Sequence, residues 1–178
     1  NILEVLGQAT VEQHATGLDW YREAHEVAAE YGDVRAGAGV LAAVSPMLSW
    51  ERNVIAARNA FAEGHVTGVL SRNAAKGNAI LAGADPLDVL GGDKVRSFYM
   101  NILNPEGTDA VTVDRHAYDV ATGVRIADNN RPNLTAKRYA AIADEYRRAA
   151  AIAGMAPSQV QAITWTVWRD KWGWRKVA

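Results

Sequence analysis

Residues 34–46, VRAGAGVLAAVSP, are almost wholly apolar and small. A helix that is apolar on every face has to be covered by its neighbours, and Pro46 ends this one by removing a backbone donor. At 178 residues the chain is long enough for one full hydrophobic core and too short to expect a second. It is therefore expected to be a single domain spanning 1–178.

The rest of the chain reads as helix nearly throughout. Leu18, Tyr21, Ala24, Ala28 and Tyr31 recur at spacings of three and four from Val11 onward, an amphipathic helical pattern. Ser49 can cap WERNVIAARNAFAEG, and Gly64 can end it. Ser71 precedes RNAAKGNAILAG, and Asp85-Pro86 supplies a cap with proline at the first helical position. Lys94 to Leu103 follows Gly91-Gly92, and Asn104-Pro105 closes it. EGTDAVTV (106–113) looks strand-like but has no partner run, so it is expected to be an extended connection. Asp114 to Thr122 is again helical. Thr135 caps a long helix ended by Gly154, and Pro157-Ser158 opens a last one. The expected class is all-α, a bundle of about eight to ten helices.

Composition narrows the function classes. The formal net charge is −1, so no overall basic field draws in nucleic acid, although a local patch can. Cysteine is absent, which excludes a disulfide framework and any cysteine-held metal, and suits a reducing compartment. His14, His25 and His65 show no ligand spacing, so no metal and no cofactor are expected. No stretch approaches the ~20 apolar residues of a membrane span. The expected setting is the cytoplasm, with a viral or a cellular source equally compatible.

The segment GGDKVRSF (91–98) poses the chemical question. Lys94 falls in the first turn of its helix, where the macrodipole disfavours an ammonium and so favours the free amine, the form that attacks a sugar or carbonyl carbon. Twenty residues on, in VTVDRHAYD, Asp114 heads another helix, where the same dipole favours the carboxylate. These positions suit an amine nucleophile and a carboxylate facing a developing positive charge. The plain alternative is a surface lysine and an ordinary N-cap.

The order VLAAVSPMLSWERNVIAARNAF (40–61), NAAKGNAILAG (73–83), DVLGGDKVRSFYMNIL (88–103) and VTVDRHAYDVATG (111–123) resembles the helix-hairpin-helix DNA glycosylase superfamily, of the endonuclease III and 8-oxoguanine glycosylase kind. The resemblance covers roughly residues 35 to 125. Leu90, Gly91 or Gly92, and Lys94 match the family hairpin's leucine, glycine and catalytic lysine. Val113, Asp114 and His116 match its later motif, whose aspartate is the catalytic carboxylate. Residues 86–104 would be a degenerate helix-hairpin-helix, without the usual proline and without the G-x-G spacing whose backbone N–H groups hold a DNA phosphate.

The resemblance implies cleavage of an N-glycosidic bond in single- or double-stranded DNA, with abasic-site lyase activity through a Lys94 Schiff base and with Asp114 stabilising the oxocarbenium-like sugar. The base must leave the stack, which calls for a pocket and a wedge. Trp50, Tyr99 and Tyr118 are candidate stacking faces, with core packing as the alternative, and His116 is a candidate site-shaping or phosphate contact. The C-terminal QAITWTVWRDKWGWRK interleaves tryptophans with cations, as single-strand binders do. Trp165, Trp168 and Trp172 follow helical spacing and are expected to seat the helix on the core. Nucleic-acid contact is therefore assigned mainly to Trp174 and Arg175. Arg131, Lys137 and Arg138 form a second candidate basic cluster, with a solvated surface as the preferred reading. Two other functions fit the same scaffold: a DNA base-modification enzyme, and a non-catalytic protein that binds nucleic acid or another partner.

Overall fold

The computed structural model describes residues 1–127 and 130–173. Among these the regular structure is all helical, without a strand. The helices are α1 (Ile2–Gly7), α2 (Val11–Ala29), α3 (Val34–Val44), α4 (Trp50–Glu63), α5 (Ser71–Leu81), α6 (Pro86–Val89), α7 (Asp93–Leu103), α8 (Arg115–Thr122), α9 (Ala136–Ala153) and α10 (Pro157–Trp172). None of them is long and apolar enough to cross a membrane.

Short polar side chains start most of these helices by accepting otherwise unpaired N–H groups. Asp33 takes those of Arg35 and Ala36, Ser49 that of Arg52, Asp85 that of Leu87 and Thr135 that of Arg138. Left-handed Gly64, Gly123 and Gly154 end α4, α8 and α9, where a β-carbon would be strained. Helix α5 departs from expectation. Ser71 lies inside it, and Leu70 occupies the cap position without a side-chain bond. The preceding loop is held instead by Asn78, whose Oδ1 accepts from the Val66 N–H at 2.7 Å. Helix α1 is an addition to the expected set.

The chain gathers into two units. The first joins Asn1–Tyr21 to the chain from Glu106 onward, and so holds α1, residues 11–21 of α2, and α8 to α10. Its core comprises Ile2, Val5, Val111, Val113, Val120, Tyr139, Ile142, Tyr146, Val160 and Trp168 among others. Residues 110–113 run through it as buried chain outside any helix or strand, and the Asp114 N–H turns back to donate to the Thr112 carbonyl at 3.1 Å. At Gly17, a β-carbon would lie 2.5 Å from the Ile163 Cα, so glycine is what allows α2 and α10 to meet there.

The second unit is Arg22–Pro105. Helix α3 is its centre, packed against α4, α5, α6 and α7, and the eight residues Gly37 to Val44 are buried. That is the all-round burial its composition demands. Its small residues admit close neighbours: a β-carbon at Gly37 would run into the Ala28 carbonyl, and one at Gly39 would lie 2.7 Å from Pro86. At the rim, Arg58 forms a two-pronged ion pair with Glu30, and Tyr31 stacks on Phe61 at 3.9 Å.

Gly17→Ala is expected to destabilise the protein by about 1–3 kcal/mol through overpacking. That lowers the melting temperature by roughly 2–12 °C. Gly7→Ala is the matched control, because its added methyl meets nothing within 4 Å. Thermal unfolding followed by circular dichroism should show the first variant melting early and the second at or above the parent.

Candidate functional site

In the second unit, α6 and α7 are joined by Leu90, Gly91 and Gly92. Gly92 turns the chain at φ 81° and takes the cap position of α7, with no side chain to satisfy the helix head. Lys94 comes next but one, in the first turn, exposed and without an ion pair to any described residue. A second amine that the sequence did not single out lies beside the same turn. Lys76, on α5, brings its Nζ to 3.4 Å from where a Gly91 β-carbon would sit. Both Gly91 and Gly92 are exposed.

The aromatic candidates divide by burial. Tyr99 is 1 % exposed, so no face of its ring is open to a base. Its hydroxyl titrates above the usual phenol range, chiefly because it is buried. Tyr118 is likewise in the core of its unit. Trp50 opens α4 half-buried. A different side chain near the end of α3 is fully presented: Met47 is 92 % exposed and holds φ 73°. A left-handed backbone is uncommon for a residue with a side chain and costs of order 1 kcal/mol or more.

In the first unit, the buried run 110–113 delivers Asp114 to the head of α8. Its Oδ1 accepts from the Ala117 N–H at 2.8 Å, and its Oδ2 accepts from the Trp165 indole N–H at 3.1 Å. Trp165 is held in turn by the Arg169 guanidinium, 4.6 Å above its ring. The His116 ring meets Trp165 edge-on at 6.2 Å. Burial holds the His116 imidazole below its usual range, with Asp114 pulling the other way and Arg115 adding to the depression. Asp114, His116 and Trp165 are thus brought together. Lys94, Lys76 and the glycine turn form a separate group within the other unit. Trp174 and Arg175 lie outside the described residues.

Arg131 is not the solvated cation its sequence suggests. Its side chain is 16 % exposed and donates to both Asp119 oxygens, at 2.9 and 2.8 Å, and to the Ile126 carbonyl at 2.9 Å. Asp119 is buried, and a buried carboxylate of this kind needs a cation. Lys137 and Arg138 are exposed as expected. Among the described residues no three His, Cys, Asp or Glu side chains are grouped to hold a metal ion.

Asp119→Ala takes the carboxylate from a largely buried ion pair with Arg131 and is expected to cost about 3 kcal/mol or more. Thermal melts should fall by roughly 6–12 °C. His116 predicts a pH dependence. Its folded-state affinity for protons is below the unfolded value, so the unfolded chain takes up more protons as pH falls through about 6.5. Stability contributed by neutral His116 is complete above that pH and is lost on the acid side. Melting temperatures at pH 7.5 and 5.5 should differ less in His116→Gln than in the parent.

Comparison with curated proteins and with solved structures gives no match. A family model does match residues 1–172, which takes in both units and every described candidate residue. The chain belongs to this family, described as a family of unknown function, DUF7178.

Proposed function

We propose that this protein breaks the N-glycosidic bond of a damaged or modified DNA base, with the Lys94 amine as nucleophile and the Asp114 carboxylate as its electrostatic partner. The observation that carries the reading is the exposed lysine, which stands in the first turn of α7 behind a left-handed glycine and makes no ion pair with a described residue. In the reaction, the amine attacks C1′ as the base departs, and the base carries off a proton. The ring oxygen then leaves C1′ as a hydroxyl, and the open-chain sugar holds the enzyme as a Schiff base. Strand cleavage proceeds by elimination of the 3′ phosphate. Asp114 opposes the positive charge that the sugar develops in the first step.

A base must leave the stack before such an attack, and enzymes that extract bases fill the gap with a side chain. Met47 has the properties of such a wedge, being unbranched, apolar, almost fully exposed and fixed by a strained backbone. A second reading, a non-catalytic protein on the same scaffold, is favoured by Asp114 itself. Both of its oxygens already serve as structural acceptors.

Borohydride should trap the parent covalently on an abasic-site oligonucleotide and should fail to trap Lys94→Ala. An adduct that survives Lys94→Ala but not Lys76→Ala would move the nucleophile to α5. No adduct from folded parent protein would end the lysine mechanism and leave the second reading. Met47→Ala should lower base release from duplex DNA about tenfold, with release from single strands unchanged, since only the duplex base needs extraction.

A further inference from the structure

In the first unit, the start of α8, the connection 124–127 and the end of α10 border a cleft. Its lining includes Arg115, His116, Arg125, Ile126, Trp168 and Trp172. The carboxylate on this cleft, Asp119, is already bound to Arg131, so the pair adds no net charge. Arg125 and Lys171 make no ion pair with any described residue. Arg125 and Lys171 therefore put unpaired positive charge at the cleft and its rim, within a chain whose net charge is −1.

The two tryptophans here differ. Trp168 is 6 % exposed and belongs to the core, as a helix-seating residue should. Trp172 is 39 % exposed and leans on Trp168 at 5.9 Å between ring centres. The Arg125 guanidinium carbon stands 5.0 Å from the centre of the Trp172 ring, and the Lys171 Nζ 5.5 Å. An indole that served only to hold α10 down would be covered as Trp168 is. This one packs against Trp168 on one side, is partly open to solvent and has two cations near its ring.

The size of the cleft selects among anionic ligands. Its interior admits little more than a water-sized sphere, so it cannot enclose a nucleotide. A ligand has to lie across the rim, with a phosphate against the arginines and an unstacked ring against Trp172. A polymer that repeats phosphate and free ring meets both requirements at once. A duplex does not, because its base faces are already stacked. We infer that this cleft and the Trp172 ring bind single-stranded nucleic acid, with Arg115 and Arg125 facing a phosphodiester and Trp172 stacking on an adjacent base. Binding here is independent of any chemistry at Lys94.

Fluorescence anisotropy of the full chain with a labelled oligothymidylate tests it, beside an oligomer of equal length built from the tetrahydrofuran abasic analogue, which keeps the phosphates, lacks the bases and has no aldehyde for a lysine to capture. Trp172→Leu should weaken oligothymidylate binding about tenfold and leave abasic-oligomer binding unchanged. Arg125→Gln should weaken both and make the slope of log affinity against log salt shallower by about 0.7, one released counterion. Lys171→Gln, at an exposed position, should shift the salt slope in the same sense and serves if Trp172→Leu melts early. Lys94→Ala should bind like the parent, which separates this site from the lyase reading. Parent-like binding by both Trp172→Leu and Arg125→Gln would overturn the assignment. Equal affinity for duplex, or competition by inorganic phosphate or thymidine monophosphate as effective as the oligomer, would overturn it as well.

Discussion

The hydroxyl of Tyr139 holds together the part of the first unit on which its candidate chemistry depends. Residues 110–113 are buried and belong to no helix or strand, so their backbone groups need partners from elsewhere. Tyr139 donates to the Val111 carbonyl at 2.6 Å and accepts from the Val113 N–H at 3.1 Å. One side chain from α9 thus stands in for a neighbouring strand. The next residue is Asp114, whose position at the head of α8 is fixed by the stretch that Tyr139 ties down. Tyr146, two turns further along α9, donates to the Ala117 carbonyl at 3.3 Å and lies 3.5 Å from the Thr164 hydroxyl of α10. Two tyrosines therefore set α8 against both long helices and place Asp114 beside Trp165.

The second unit relies on the absence of side chains. Gly37 and Gly39 let the Ala28 carbonyl and the Pro86 ring reach the backbone of α3. Pro86 is also the first residue of α6, and its Asp85 cap is ion-paired to Arg35, near the start of α3. The short helix is thereby pinned at its head. Beyond its end the chain buries Leu90, and two exposed glycines then make the turn into α7. The exposure of Lys94 is a consequence of that turn and not of its own side chain.

Helix starts and stops were legible in the sequence because capping is local. Ser49, Asp85, Asp114 and Thr135 bond N–H groups two or three residues away, and Gly64 and Gly154 end helices through their own dihedral angles. The buried character of α3 was legible for the same reason, since composition alone decides it. What escaped was set by partners far along the chain. Helix α1 is too short to stand alone; it is held by Ile2 and Val5 in the core and by Asn1, which donates to the Ala121 carbonyl at 3.0 Å. Arg131 looked like a surface cation because nothing nearby in sequence announces that Asp119 is buried. Helical spacing placed Trp168 correctly in the core but carried Trp172 there too, and periodicity cannot tell the last turn of a helix that it has run past the edge of its support. Lys76 and Met47 escaped because neither proximity to a turn nor backbone strain is written in a residue's own type.

The carboxylate at the head of α8 makes a structural role and a chemical one compatible. A carboxylate has about four lone-pair directions, and Asp114 commits one on each oxygen, to Ala117 and to Trp165. Those bonds fix its orientation without neutralising its charge, since both donors are neutral. A charge that is already oriented needs no reorganisation when a positive centre develops beside it, and this is the condition under which electrostatic stabilisation is largest. An Asp114 that swung freely would cap nothing and would suit the role proposed for it less well. Trp165 shares in this, because it touches Asp114 through its N–H and carries Arg169 on its ring. By holding the oxygen that the cap does not use, it limits the directions from which any cationic partner can approach.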